Sequence, residues 1–309
     1  MQGSNVAKPD DSIVTERRIA AALARVAFAD RRVRVASSDL SDCDCIVGCT
    51  LGLYGVNRHG LVRKLVHGFF HGVRRCGSDL LVFEICDRPR LANAYGRILR
   101  IPVLGSRLGQ PQILVEGLDN RCHQLAAFDD RIHLIDTAHQ KILRFTLSGV
   151  PIDAITPFPY ERGVSPQDDY RHLNSIAQVG DRIGVMLHNG GKSRTSELAW
   201  FDRQWRLLCC EELSALGCHD IVADTDGTLW HCGSMAGELI NSRGEHYKVS
   251  ERLTRGLAIA PDGFVVGVCT FGTREVRDNF TGTILYLDRN FTLLAEVDVP
   301  TAPMDLVLL

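Results

Sequence analysis

The chain has 309 residues, of which 45% are hydrophobic and 23% charged, and it carries a formal net charge of −2 at pH 7. This balance argues against nucleic acid or anionic membrane as the main partner, because both select for clustered Lys and Arg, and runs such as Arg31-Arg32-Val33-Arg34 are short. No apolar run approaches the roughly 20 residues that cross a bilayer, and the first eleven residues lack the apolar stretch of a secretory leader. The eleven cysteines fall largely inside apolar segments (Cys45, Cys49, Cys86, Cys232, Cys269), and their spacing matches neither a zinc site nor a small disulfide framework. They read as reduced, buried thiols of a cytoplasmic protein.

In chain order, residues 1–40 form an extension containing one helix. Ser12 or Thr15 caps it, it runs to about Phe28, and Ile19, Leu23, Val26 and Ala27 share a face. The helix packs on a rim or covers a mouth of the domain that follows. Residues 41–309 repeat a single unit: a strand, a turn, a second strand, then a hairpin. Leu198 to Leu208 and Ile284 to Leu294 align directly, each an apolar strand, an Asp-Arg turn and a second strand. Weaker copies lie at Leu53 to Val66, Arg97 to Val115, Ile142 to Ile155 and Glu238 to Val249. The units begin near residues 71, 123, 172, 219 and 255, close to the roughly 40–50 residues of a propeller blade. At one end, Ile46 to Gly52 reads as a second strand without a first. At the other, Met304 to Leu309 reads as a first strand without a second. Pairing the two gives an all-β, six-bladed β-propeller closed by its C-terminal strand.

The start of each innermost strand lines the axis, so a residue type repeated there becomes a ring in space. His71, His123, His172 and His219 occupy that position, followed by Arg255 and by Met304 or Asp305. Four of the eleven histidines falling on one repeat position points to a metal site, with Fe(II) favoured and Zn or Cu as alternatives, since imidazole suits all three. The bland alternative is that these rings hydrogen-bond across blades and pack the axis. Asn174, Asp220, Tyr170 and Arg171 are expected to contact substrate, and Arg255 and Asp305 to act in catalysis. Asp220 and Glu84 are candidates to orient the imidazoles. Loop residues Tyr160, Arg162, Arg274, Arg277 and Asn279 stand near the same mouth. His188 and His231, on second strands, lie near the channel at best. The Asp-Gly and Asp-Asp pairs are turn formers.

From Cys43 to Leu309 the blade pattern resembles the six-bladed propellers of the gluconolactonase, strictosidine-synthase-like and NHL-repeat group. That resemblance implies calcium held by carboxylate and amide oxygens at the channel mouth; the histidines here depart from it. Four histidines on propeller blades are also similar to the iron constellation of carotenoid-cleaving oxygenases, which have seven blades. The reading is a metal-dependent oxygenase, or a lyase or isomerase, acting on a small organic molecule. A calcium-dependent lactonase-like hydrolase and a non-catalytic propeller that binds a protein partner are the alternatives.

Overall fold

Each strand–turn–strand unit becomes part of a four-stranded antiparallel sheet in the computed structural model, which describes residues 11–87, 93–158, 170–190, 194–271 and 279–309. The first blade contains β1 (Cys45–Cys49), β2 (Gly52–Val56) and β3 (Val62–Val66). The second holds β4 (Phe69–Cys76), β5 (Asp79–Ile85), β6 (Gly96–Leu104) and β8 (Gln112–Leu118), with the two-residue β7 (Arg107–Leu108) on β6. The third is β9 (Leu125–Phe128), β10 (Arg131–Asp136), β11 (Lys141–Thr146) and β12 (Pro151–Ile155). The fourth is β13 (Leu173–Val179), β14 (Arg182–Leu187), β15 (Glu197–Phe201) and β16 (Leu207–Glu212). The fifth is β17 (His219–Ala223), β18 (Leu229–Gly233), β19 (Glu238–Asn241) and β20 (His246–Lys248). The sixth is β21 (Leu253–Ala260), β22 (Gly263–Cys269), β23 (Gly282–Asp288) and β24 (Leu293–Val299). The last strand, β25 (Pro303–Leu308), pairs antiparallel with β1, Cys45 opposite Leu308, and completes the first blade from its inner side. The fold is a six-bladed β-propeller.

One turn chemistry recurs between third and fourth strands. Asn57, Asp202, Asn241 and Asp288 each accept two backbone N–H groups, from the residues two and four positions on, at 2.8–3.0 Å. A side chain that mimics a backbone turn fixes the hairpin register, which is why these hairpins align in sequence. Between blades, apolar faces interlock: Leu81, Phe83 and Ile98 of the second pack with Leu125, Ile132 and Leu134 of the third.

Near the axis the register breaks. β4, β13, β17, β21 and β25 each shift against their neighbour close to their first residues. Such bulges re-aim side chains, and they stand where the sequence places its ring of histidines.

The helix α1 (Asp11–Ala29) starts before either expected cap, so Ser12 and Thr15 lie within it. Its inward side is also different from the expected one. Ala24 and Ala27 are buried, whereas Ile19, Leu23 and Val26 are 56%, 46% and 52% exposed. Small side chains let the helix approach the sheets closely, and polar contacts hold it there. Arg17 Nη1 donates to Asn279 Oδ1 at 2.5 Å, Glu16 pairs with Lys64 at 3.6 Å, and Arg25 with Asp87 at 3.6 Å. Phe28 meets Tyr95 edge-on. These partners span the sixth, first and second blades, so the helix rests on the propeller rim. No described helix is long and apolar enough to cross a membrane. All eleven cysteines are free thiols; Cys209 and Cys210 are exposed.

Candidate active site at the mouth of the channel

Innermost strands start, and second strands end, at the same end of the propeller. There the four predicted histidines come together with a fifth. His71 and His123 have ring centroids 4.3 Å apart, His123 and His172 5.3 Å, His172 and His188 4.6 Å, and His188 and His219 4.9 Å. The result is an arc of imidazoles in which each ring touches the next. His188, at the exit of β14, stands between His172 and His219. The sequence reading placed it only near the channel, because the repeat that marks the other four belongs to innermost strands. The arc continues to Arg255, whose Nη2 lies 3.3 Å from His71 Nε2. Tyr170 packs edge-on against His172. His172 itself has φ of 52°, a conformation uncommon in non-glycine residues and found preferentially where function demands it.

Two members of the arc are held in the same way. His123 Nδ1 lies 3.0 Å from the carbonyl of Arg121 and 2.8 Å from Thr137 Oγ1. His219 Nδ1 lies 2.8 Å from the carbonyl of Gly217 and 3.0 Å from Ser234 Oγ. A carbonyl only accepts, so Nδ1 carries the proton in both rings. Thr137 gives its own hydroxyl proton to the carbonyl of Leu173 at 2.6 Å, leaving an oxygen lone pair for His123. The tautomer is thereby assigned, and Nε2 is the basic nitrogen of each neutral ring. His71 reaches the same tautomer by another route: its Nε2 accepts from the Arg255 guanidinium, which has no lone pair to offer.

Among the described residues, no group of three or more His, Cys, Asp or Glu side chains is placed to hold an ion. The rings follow one another round an arc, and the His71 Nε2 lone pair faces a cation. The carboxylates and the amide that would ligate calcium through oxygen are engaged in hydrogen bonds one layer below.

In that lower layer Asp305 is fully buried. It accepts Val73 N–H at 2.9 Å, Arg74 Nη1 at 2.6 Å and Leu306 N–H at 2.9 Å. Burial pushes its carboxyl up to about 6, against the pull of Arg74 and helped by the negative charge of Asp220. Asp220 accepts Gln124 Nε2 on one oxygen and Gly256 N–H at 2.8 Å on the other, and its own N–H goes to Ser175 Oγ at 2.9 Å. Asn174 donates to the carbonyl of Cys218 at 2.9 Å and accepts from Ser175. These bonds run between blades, so Asn174 and Asp220, expected at the substrate, and Asp305, expected in catalysis, knit the innermost strands together. Glu84 pairs with the buried Arg97 at 2.7 Å, away from the imidazoles. Arg171 turns outward, its guanidinium over Phe158 and 3.9 Å from Glu197. Asn279 holds the helix, and Tyr160, Arg162, Arg274 and Arg277 lie outside the described residues.

No known protein family matches this sequence, and no curated protein matches it either. Solved structures do. The chain is similar to one in a nidogen/laminin complex, with 10% identity, 86% of this chain and 97% of that one covered, and a TM-score of 0.61. It is similar to a protein of unknown function from Bacteroides caccae, with 10% identity, coverage of 87% and 99%, and a TM-score of 0.56. A candidate 6-phosphogluconolactonase from Bacteroides fragilis gives 14% identity, coverage of 87% and 98%, and a TM-score of 0.52. Likeness at such identity speaks for the propeller alone.

Proposed function

We propose that the channel mouth binds a small anionic organic molecule and moves protons on it, in the manner of a lyase or isomerase. The observation that carries this reading is the matched anchoring of His123 and His219 through Nδ1. An imidazole whose Nδ1–H is fixed by a carbonyl carries its basic lone pair on Nε2, and once protonated there it becomes an acid. Two such rings in one arc supply both functions. Arg255, buried beside His71, contributes a permanent positive charge for a carboxylate or phosphate. One imidazole removes a proton from the carbon next to that anionic group. The other returns it elsewhere, or delivers it to a departing group. The eleven free thiols suit a reducing cytoplasm.

The test is solvent deuterium exchange, followed by NMR, across a panel of small carboxylates and phosphate esters. A substrate should emerge whose exchange is lost in His123→Asn and in His219→Asn. If no compound exchanges above the buffer rate, the proposal fails. Elemental analysis of the purified protein decides against the Fe(II), Zn or Cu reading or in its favour: stoichiometric metal, lost in His123→Asn, would replace proton transfer with metal chemistry. Turnover dependent on added calcium would favour the lactonase-like alternative. A protein partner whose binding survives both histidine variants, with no turnover found, would leave the scaffold reading.

A further inference from the structure

Away from the channel, on the outer part of the propeller, a serine, a histidine and a glutamate stand in line. Ser214, in the segment joining β16 to β17, is exposed. Its Oγ lies 2.6 Å from His246 Nε2. His246 Nδ1 lies 2.8 Å from Glu238 Oε2. Glu238 opens β19 and His246 opens β20, and the two strands pair with Ile240 opposite His246, which sets the carboxylate beside the ring. Hydroxyl to Nε2 and Nδ1 to carboxylate is the order in which a base activates a nucleophile and a third group orients the base.

Ser214 and His246 border a cleft of about 640 Å³ between the fourth and fifth blades. Its lining combines the apolar Leu198, Trp200, Leu229 and Ile240 with the exposed Arg182, Glu211 and Glu212. Two further polar atoms belong to its lining residues: Trp200 Nε1 and His231 Nε2 are buried and have no hydrogen-bond partner among the described residues. Burial keeps His231 neutral, pushing it down to about 4 with help from the nearby His246. Buried apolar side chains beside a paired hydroxyl and imidazole suit an ester, with the acyl chain against Leu198, Leu229 and Ile240 and Trp200 N–H as a donor for its carbonyl oxygen.

The geometry points to a second, hydrolytic site that cleaves small carboxylic esters with apolar acyl groups. Ser214 Oγ bonds to the ester carbonyl carbon while its proton passes to His246 Nε2. The carbonyl electron pair moves onto oxygen and returns as the bond to the alcohol breaks, and the alcohol leaves with the proton from Nε2. Water then attacks the acyl-serine, gives a proton to Nε2, and Ser214 recovers it as the carboxylic acid departs. Glu238 is a positioning residue that accepts Nδ1–H throughout.

The experiment uses the whole chain, 4-nitrophenyl butyrate as substrate and a fluorophosphonate as covalent probe, with the adduct mapped by peptide mass spectrometry. The adduct is expected on Ser214, and ester hydrolysis should fall by roughly 10³-fold or more in Ser214→Ala and in His246→Gln. Because Ser214 is exposed, its loss should leave the melting temperature unchanged. Glu238→Gln should lower kcat while KM stays constant, a split that lost packing would not produce. An adduct absent from Ser214, or hydrolysis by Ser214→Ala at the wild-type rate, overturns the inference.

Discussion

Two layers of the same channel use polar residues in opposite ways. In the upper layer His123 and His219 tie Nδ1 to a carbonyl of their own blade, which puts the basic lone pair of each neutral ring on Nε2. In the lower layer Asp305 and Asp220 direct both carboxyl oxygens to protein donors on neighbouring strands. A carboxylate whose oxygens are shared between blades holds the fold together, and an imidazole whose tautomer is fixed has a defined nitrogen with which to take up or give a proton. The difference separates architecture from chemistry more sharply than residue type does, since both Asp and His can act as acids or bases.

The contrast can be broken from either side. The largest effect on stability belongs to the lower layer. Asp305→Ala takes the fully buried carboxylate from the half-buried Arg74 guanidinium and from Val73 N–H, and should destabilise the protein by roughly 3–5 kcal/mol, read from denaturant unfolding. In the upper layer, His219→Asn keeps a side-chain donor for the Gly217 carbonyl and removes the basic nitrogen. It should lower turnover by roughly 10²–10⁴-fold while stability changes by less than about 1 kcal/mol. Losing both together would place His219 with the architecture.

Acid offers a third arm. His231, buried and held down to about 4, resists protonation when folded but takes a proton near 6.5 when unfolded. Its neutral form therefore contributes stability that is present above pH 6.5 and is lost as the pH falls toward 4. Relative to His231→Gln, the wild type should lose up to about 3 kcal/mol over that window. His133, stacked on Phe128 and pushed down to about 3, acts in the same direction. The smallest expected effect sharpens the tautomer assignment. Thr137→Val removes the hydroxyl that accepts from His123 and donates to Leu173, and it should cost about 1 kcal/mol with a several-fold drop in turnover.

Much of this architecture was legible in the sequence because its devices are local. The Asp and Asn turns bond residues two and four positions away, so they recur as visible hairpins, and unpaired strands at the two ends announced the closure. The position of His71, His123, His172 and His219 at strand starts was legible for the same reason. What each does there was not. The i−2 carbonyl that fixes Nδ1 is a backbone atom, and the bulges that aim Asp220 and Asp305 at neighbouring strands leave no mark in residue type. His188 enters the arc only once β14 is folded beside β13. The Ser214 site joins three segments through one cleft and has no motif at all. On α1, periodicity put Ala27 on the inner face correctly but grouped it with Ile19, Leu23 and Val26, whereas close approach to the rim buries Ala24 beside it.

The closing strand has a consequence for how the molecule comes into being. β25 joins β1 across more than 250 residues of chain, and it carries Asp305 to its bonds with Val73 and Arg74. Until that strand emerges from the ribosome, β1 exposes an unpaired edge and Arg74 has no counter-charge from Asp305. Contacts of such long sequence separation form late and slowly. A nascent propeller of this kind therefore passes through an open, C-shaped stage with its incomplete blade vulnerable to pairing with another chain.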